Sequence, residues 1–205
     1  MPRVTRLISL KKSPRDPYVL FGKWFESAVK AKLKLPNAMT LATASKGGKP
    51  GARVVLMKDV NRSGVCFFTN YLSRKGVDLL ANPRATLLFY WPELDLQIRI
   101  EGRATRVPAK ESDAYFRTRP RESQIGAHAS HQSRPIPDQS VLFEAFWKLS
   151  RKFGGKEVPR PKNWGGYRLK PLSFEFWKGQ DFRLHDRLLY TRTGSGRWKK
   201  ILLSP

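Results

Sequence analysis

The stretch SFEFWKGQDFRLHDR, residues 173–187, sets two arginines around a histidine. Successive side chains of an extended strand point to opposite faces, so Arg183, His185 and Arg187 would share one face while Leu184 and Leu188 share the other. A guanidinium fork binds phosphate or carboxylate through paired hydrogen bonds. An imidazole between two fixed positive charges favours its neutral, proton-accepting form. Together these residues would make an anion site beside a proton carrier. A solvated strand face would show the same alternation, and the pattern alone leaves both readings open.

Further polar clusters stand elsewhere in the chain. ARVVLMK supplies Arg53 and Lys58, FFTNYLSRK supplies Thr69, Ser73, Arg74 and Lys75, and YFRTRPRESQIGAHASHQS supplies Tyr115, Arg119, Ser123, Gln132 and Ser133. Trp177 precedes the histidine stretch. No Walker A or GxGxxG loop is present, so a bound phosphate would be held by side chains rather than by a glycine cradle. Taken singly, each cluster has a plainer reading: SRK as a basic helix start, RPRES as a solvated loop, Trp177 as core filling. The histidines His128, His131 and His185, without CxxC or HExxH spacing, make no convincing metal site. The single cysteine, Cys66, lies in the apolar run VCFF and reads as a buried, inert thiol. It cannot form a disulfide within one protomer, which suits a reducing cytosol.

Positioning these clusters requires a β-rich frame. Asp16-Pro17 followed by Leu20, Phe21, Trp24, Phe25, Ala28 and Val29 predicts a capped amphipathic helix ending before Pro36. AMTLATA, ARVVLMKDV and VCFFTN then read as strands of an antiparallel meander, joined by KGGKPG and NRSG turns. A helix is expected over Ser73 to Leu80, followed by strands RATLLFYW and LQIRIEGRATRV joined at Pro92 to Asp95. In the second of these, Leu96, Ile98 and Ile100 would face the core and Gln97, Arg99 and Glu101 the polar side. A helix over about Ala109 to Arg117 leads into RPRESQIGAHASHQSRPIPD, which reads as a functional loop of about twenty residues. Asp138 would cap a helix that Gly154-Gly155 ends. Strands GGYRLK, SFEFWK, RLLYTR and RWKKILL close the chain, the last two joined by TGSG. The expected fold class is mainly β with flanking helices (α+β), a small closed or partly closed antiparallel barrel.

At 205 residues the chain fits one domain, which buries about 70% of its unfolded surface. We expect a basic tail over residues 1–15 and a single domain over 16–205. No apolar run approaches the roughly 20 residues of a membrane span. The opening MPRVTRLISLKKSPRDP has no signal-peptide core, so a cytoplasmic protein is expected. The charge is the unusual statistic: 40 Lys and Arg against 16 Asp and Glu give +24. Such a field draws phosphorylated ligands and nucleic acid alike. With no RNP1 sequence, KH-type loop or zinc-finger spacing, nucleic-acid binding beyond non-specific attraction is not expected.

In order and spacing, RVVLMK, FFTNYLSRK, RPRESQIGAHASHQS, WGGYRL and EFWKGQDFRLHDRLLY resemble the signature blocks of the pyridoxamine 5'-phosphate oxidase family, over about Asp16 to Pro205. The resemblance implies an antiparallel FMN-binding split β-barrel working as a homodimer, with each flavin between subunits. It implies flavin contacts from Arg53, Val54, Val55, Leu56, Met57, Lys58, Phe68, Thr69, Arg74, Lys75, Gln97, Gln132, Ser133, Trp177 and Arg187. It implies substrate contacts from Lys58, Tyr115, Arg119 and Ser123 at the phosphate, with Arg183, Leu184 and His185 at the reacting ring; Arg183 and His185 would be the catalytic pair. The implied reaction is oxidation of pyridoxamine or pyridoxine 5'-phosphate to pyridoxal 5'-phosphate, with oxygen as acceptor and hydrogen peroxide as product.

Strand parity agrees with Gln97 on a polar face. It disagrees for Arg53 and Lys58, which can reach one flavin only if their strand twists, bulges or ends between them. The sequence also departs from the family pattern: it lacks the basic-tyrosine segment some members fold over substrate, Lys178 stands where glutamine is common, and His128 where tryptophan is common. Two rival readings are a phenazine-pathway oxidase of the same barrel and a basic nucleic-acid-binding module. Retention of both RLH and YFRTRPRES argues against the first, since a substrate without phosphate would not need Arg119 and Ser123.

Overall fold

The computed structural model describes residues 12–205, so most of the expected basic tail lies outside the described residues. Helix α1 (Pro17–Lys30) begins where expected: the Asp16 carboxylate accepts from the Tyr18 amide at 2.9 Å and Pro17 occupies the first turn. Its apolar face meets the sheet, with Phe21 edge-on to Phe89 and Trp24 edge-on to Phe176.

Among the described residues nine strands form one curled, wholly antiparallel sheet: β1 (Ala38–Ala44), β2 (Pro50–Leu56), β3 (Asp59–Asn61), β4 (Gly64–Asn70), β5 (Arg84–Trp91), β6 (Leu96–Arg106), β7 (Trp164–Lys178), β8 (Asp186–Arg192) and β9 (Trp198–Leu203). The order is β2-β1-β5-β6-β7-β4-β3, with β8 between β7 and β9. Strand β7 divides the sheet. β6 follows one of its edges, while the other edge pairs first with β4 (Trp164 to Leu169) and then with β8 (Ser173 to Lys178). Pro171, which has no N–H to give a ladder, sits at the changeover. The result is a half-open barrel filled by Leu41, Phe67, Leu87, Phe89, Ile98, Ile100, Phe174 and Phe176.

Helix α2 (Arg74–Ala81) is capped by Ser73 and packs on β1. Helices α3 (Ala109–Arg117), α4 (Arg121–Ala129) and α5 (Ser140–Phe153) cover a second, smaller core of Phe116, Ile125, Val158 and Trp164.

Several expectations need correction. ARVVLMKDV is two strands, because β2 stops at Leu56 and the Met57 amide turns to the Asn37 carbonyl at 2.9 Å. GGYRLK and SFEFWK are one continuous strand, since β6 pairs with β7 on both sides of Pro171. The supposed long loop contains α4. Pro120 presets the entry to that helix, Ile125 fills the small core, and the Gln124 side chain ties back to the Phe116 carbonyl at 3.0 Å. Asp138 caps α5 from one position further out than the cap residue, accepting from the Ser140 amide at 2.6 Å. Among the described residues no helix is long and apolar enough to cross a membrane.

Candidate functional site

The main cleft, about 980 Å³, lies between the free edge of β2, the end of β4 and helices α3 and α4. Arg53, Val54, Val55 and Leu56 line it from β2, followed by Lys58 just past the strand end. The parity conflict between Arg53 and Lys58 is thereby resolved: β2 ends between them, and the Lys58 amide bonds to the Cys66 carbonyl at 2.9 Å. Met57 is buried in the barrel core and does not line the cleft.

Two cationic clusters face this space. In the first, Lys75 is only 8% exposed, and its ammonium reaches Ser73 Oγ and Gln132 Oε1, each at 3.3 Å. Burial, reinforced by the nearby Arg53 charge, holds its pKa below the ordinary lysine value. Thr69 Oγ1 donates to the same Gln132 oxygen at 3.4 Å, which draws the segment after α4 onto β4.

In the second cluster, Tyr115 stacks on Phe68 at 4.0 Å and Trp164 on Phe68 at 5.5 Å, forming an aromatic wall. The Arg119 guanidinium lies 4.6 Å over Trp164, and Lys58 Nζ lies 5.7 Å over Tyr115. Burial lowers the Arg119 pKa. Its Nη1 is buried without an acceptor among the described residues. A buried donor left open in this way costs roughly 1–3 kcal/mol, and a bound anion would remove that cost. Ser123 lines the same region from α4.

The remaining predicted residues gather elsewhere. Gln97, Trp177 and Arg187 sit side by side across β6, β7 and β8. Arg187 donates through Nε to Glu175 at 2.9 Å and through Nη1 to the Ser204 carbonyl at 3.0 Å. The buried Glu175 carboxylate also accepts from Arg99. The His185 ring packs 4.7 Å from Trp177, and its Nδ1 accepts from the Gln180 amide at 3.2 Å. None of these residues lines the cleft. Arg74 and Ser133 are also outside its lining, Arg74 standing 3.9 Å from Asp78.

The shared strand face expected for Arg183, His185 and Arg187 is not formed. A turn at Asp181–Arg183 intervenes, with Phe182 (φ 56°) and Arg183 (φ 62°) in the left-handed region and Leu184 exposed, and β8 starts only at Asp186. The Leu184 amide bonds back to the Asp181 carbonyl at 3.1 Å, which breaks the period of two. The Gln180 contact has a chemical consequence as well. With Nδ1 accepting an amide proton, the neutral imidazole carries its own proton on Nε2 and presents a donor rather than a base.

Sequence reasoning missed Asn70, Thr118, Pro120, Gly126, Ala127, Ser130 and Trp164 as cleft residues. The signal that could have found Trp164 is its place at the head of the WGGYRL block; the Gly165 that follows allows close packing, since a Cβ there would meet Tyr71 Oη at 2.1 Å. Cys66 is buried, and desolvation pushes its thiol up to about 12, as expected of an inert cysteine.

Residues 25–145 match the family model described as pyridoxamine 5'-phosphate oxidase, and residues 164–205 match that of the pyridoxine 5'-phosphate oxidase C-terminal dimerisation region. The chain is 53% identical to the pyridoxine/pyridoxamine 5'-phosphate oxidase of Rubrobacter xylanophilus over 190 residues, 93% of this chain and 87% of that protein. It is 51% identical to the chloroplastic pyridoxine/pyridoxamine 5'-phosphate oxidase 1 of Arabidopsis thaliana over 194 residues, 93% of this chain and 37% of that protein. Among solved structures, PhzG from Burkholderia lata 383, in complex with tetrahydrophenazine-1-carboxylic acid, aligns with a TM-score of 0.91 at 34% identity, covering 98% of this chain and 99% of that one. A pyridoxamine 5'-phosphate oxidase-related, FMN binding protein from Nostoc punctiforme shares the fold at a TM-score of 0.70 and 17% identity, covering 97% of this chain and all of that one (100%).

Proposed function

The chain belongs to the pyridoxamine 5'-phosphate oxidase family, and on that premise we propose how its residues divide the work of the reaction. It is an oxidoreductase that converts pyridoxamine or pyridoxine 5'-phosphate to pyridoxal 5'-phosphate. The observation that carries the assignment of roles is the pair of cationic clusters in one cleft. A flavin mononucleotide and a phosphorylated substrate bring two phosphates, and the cleft offers two sets of cations for them, each with one desolvated member, Lys75 and Arg119.

Arg53, Lys75 and the amide end of α2 hold the cofactor phosphate, with Thr69 and Gln132 beside them. Val54, Val55, Leu56 and Lys58, which line the cleft from β2 onward, would hold the ring system. When bound, FMN supplies the two-electron acceptor, and molecular oxygen leaves as hydrogen peroxide. Lys58, Tyr115, Arg119 and Ser123 take the substrate phosphate, and this remote binding orients the reacting carbon.

Gln97, Trp177, Arg183, His185 and Arg187 serve the site from a second copy of the chain. The match of residues 164–205 to a dimerisation region supports a homodimer, and these residues lie outside the cleft of their own chain. His185 and Arg183 then act as donors that hold the substrate ring. The proton-accepting role expected of His185 is withdrawn, because the Gln180 amide occupies Nδ1. A cytoplasmic location belongs to the same reading, supported by the buried free thiol of Cys66.

The phenazine-pathway alternative is favoured by the PhzG structural match. Substrate discrimination separates the two. FMN-loaded protein should oxidise pyridoxamine 5'-phosphate with a KM at least tenfold below that for unphosphorylated pyridoxamine, and equal KM values would remove the phosphate-binding role from Arg119.

A further inference from the structure

Arg53 is held in the cleft by groups that never enter it. Its Nη1 donates to Thr43 Oγ1 at 2.7 Å and to the Leu41 carbonyl at 3.2 Å. The Thr43 hydroxyl in turn donates to Asp78 Oδ2 at 2.8 Å. A carboxylate only accepts and a guanidinium only donates, so the direction of this chain is fixed: Arg53 to Thr43 to Asp78. Thr43 and Asp78 are both 4% exposed, and neither lines the cleft.

The strand register shows how the arrangement is built. Leu41 faces Arg53 and Thr43 faces Gly51 across β1 and β2, so Arg53 reaches Thr43 diagonally, over Gly51. That path exists because residue 51 has no side chain: a Cβ there would lie 2.7 Å from Arg53 Nη2. Helix α2 delivers Asp78 from the other side, with its Oδ2 3.9 Å from both Arg53 Nη2 and Arg74 Nε.

We infer that Thr43, clamped by Asp78 and given room by Gly51, is a positioning residue that seats Arg53 before a ligand arrives and so sets the preference for a phosphorylated over an unphosphorylated flavin. The inference rests on the proposed role of Arg53 at the cofactor phosphate. An arginine already tied at Nη1 gives up less rotamer freedom on binding, and it lines the cleft in that tied conformation.

Equilibrium titration of apo-protein with FMN and with riboflavin, followed by flavin fluorescence, tests it. Thr43→Val removes the hydroxyl relay, and Thr43→Ser restores it. Gly51→Ala acts independently: the atom its methyl would meet is the far end of a flexible side chain, so Arg53 is displaced while the strand is kept. Thr43→Val and Gly51→Ala should each weaken FMN binding about tenfold or more, the scale of a hydrogen bond to a charged group. Riboflavin binding should stay within about twofold of wild type, and Thr43→Ser should bind FMN like wild type. Wild-type FMN affinity in both Thr43→Val and Gly51→Ala, or equal losses for the two flavins, overturns the inference. A wild-type protein that binds both flavins equally overturns the Arg53 assignment itself, a result distinguishable because it appears before any substitution is made.

Discussion

Arg119 and Lys75 are cations withdrawn from water at the wall of a cleft, and burial lowers the pKa of both. That is a cost to the folded chain, recovered when an anion arrives. Replacing Arg53 or Lys75 with Ala should therefore weaken FMN binding by roughly 1.5–3 kcal/mol, read in an equilibrium flavin titration; unchanged affinity in both would end the assignment. Arg183 and His185 are the residues proposed to act later, on the substrate. Their replacement by Ala should lower kcat/KM by about 100-fold, the effect of a misplaced reacting group, while the bound flavin's absorption spectrum stays normal. His185→Gln, whose amide can still donate near the Nε2 position, should retain more activity than His185→Ala; the reverse order would restore a base role. Residue type and spacing drew attention to these side chains, but their roles were implied only by the resemblance of the ordered blocks. They were not enough to show that Phe182 and Arg183 turn left-handed, because that conformation is set by the ties of Gly179 to Asp95 and Leu184 to Asp181.

At the scale of elements, local signals worked where a boundary had its own chemistry. Asp16-Pro17 opened α1, Ser73 opened α2, and the alternation of β6 placed Ile98 and Ile100 in the core. They failed where long-range pairing decided. Nothing local joins GGYRLK to SFEFWK across a proline; the unbroken neighbour β6 does. Helix α4 was hidden among turn-forming residues and has a single buried apolar anchor, Ile125. The outer face of β6, β7 and β8 carries an arrangement that alternation alone does not reveal, the buried Glu175 carboxylate between Arg99 and Arg187. Breaking a buried ion pair costs several kcal/mol, but both arginines here are partly solvated. Glu175→Ala should thus destabilise by about 2 kcal/mol in urea unfolding at fixed protein concentration, and should weaken FMN binding by loosening Arg187. Stability and flavin affinity both equal to wild type would show that the carboxylate does not hold Arg187.

At the scale of the whole molecule, one chain holds two partial sites. The cleft has two sets of cations, and the β6–β8 face with its histidine loop has residues proposed for the flavin (Gln97, Trp177, Arg187) and for the reacting ring (Arg183, His185). If the two are completed between copies, subunits defective in different parts should complement. Arg119→Ala and Arg183→Ala proteins, each nearly inactive, should recover about a quarter of wild-type activity when unfolded together and refolded as a random mixture, since a two-fold dimer then restores one site in half of its population. No recovery would place both arginines in a site built from one chain. The net charge of +24 exceeds what two phosphates require, and nothing in the cleft accounts for the surplus. On the proposed reading, this cleft oxidises a phosphorylated pyridine at the expense of oxygen. The most direct measurement is simultaneous detection of hydrogen peroxide and pyridoxal 5'-phosphate from FMN-loaded protein supplied with pyridoxamine 5'-phosphate in air. Equal amounts of the two products, absent without flavin, are expected; a flavin-loaded protein that forms neither would not be an oxidase of this substrate.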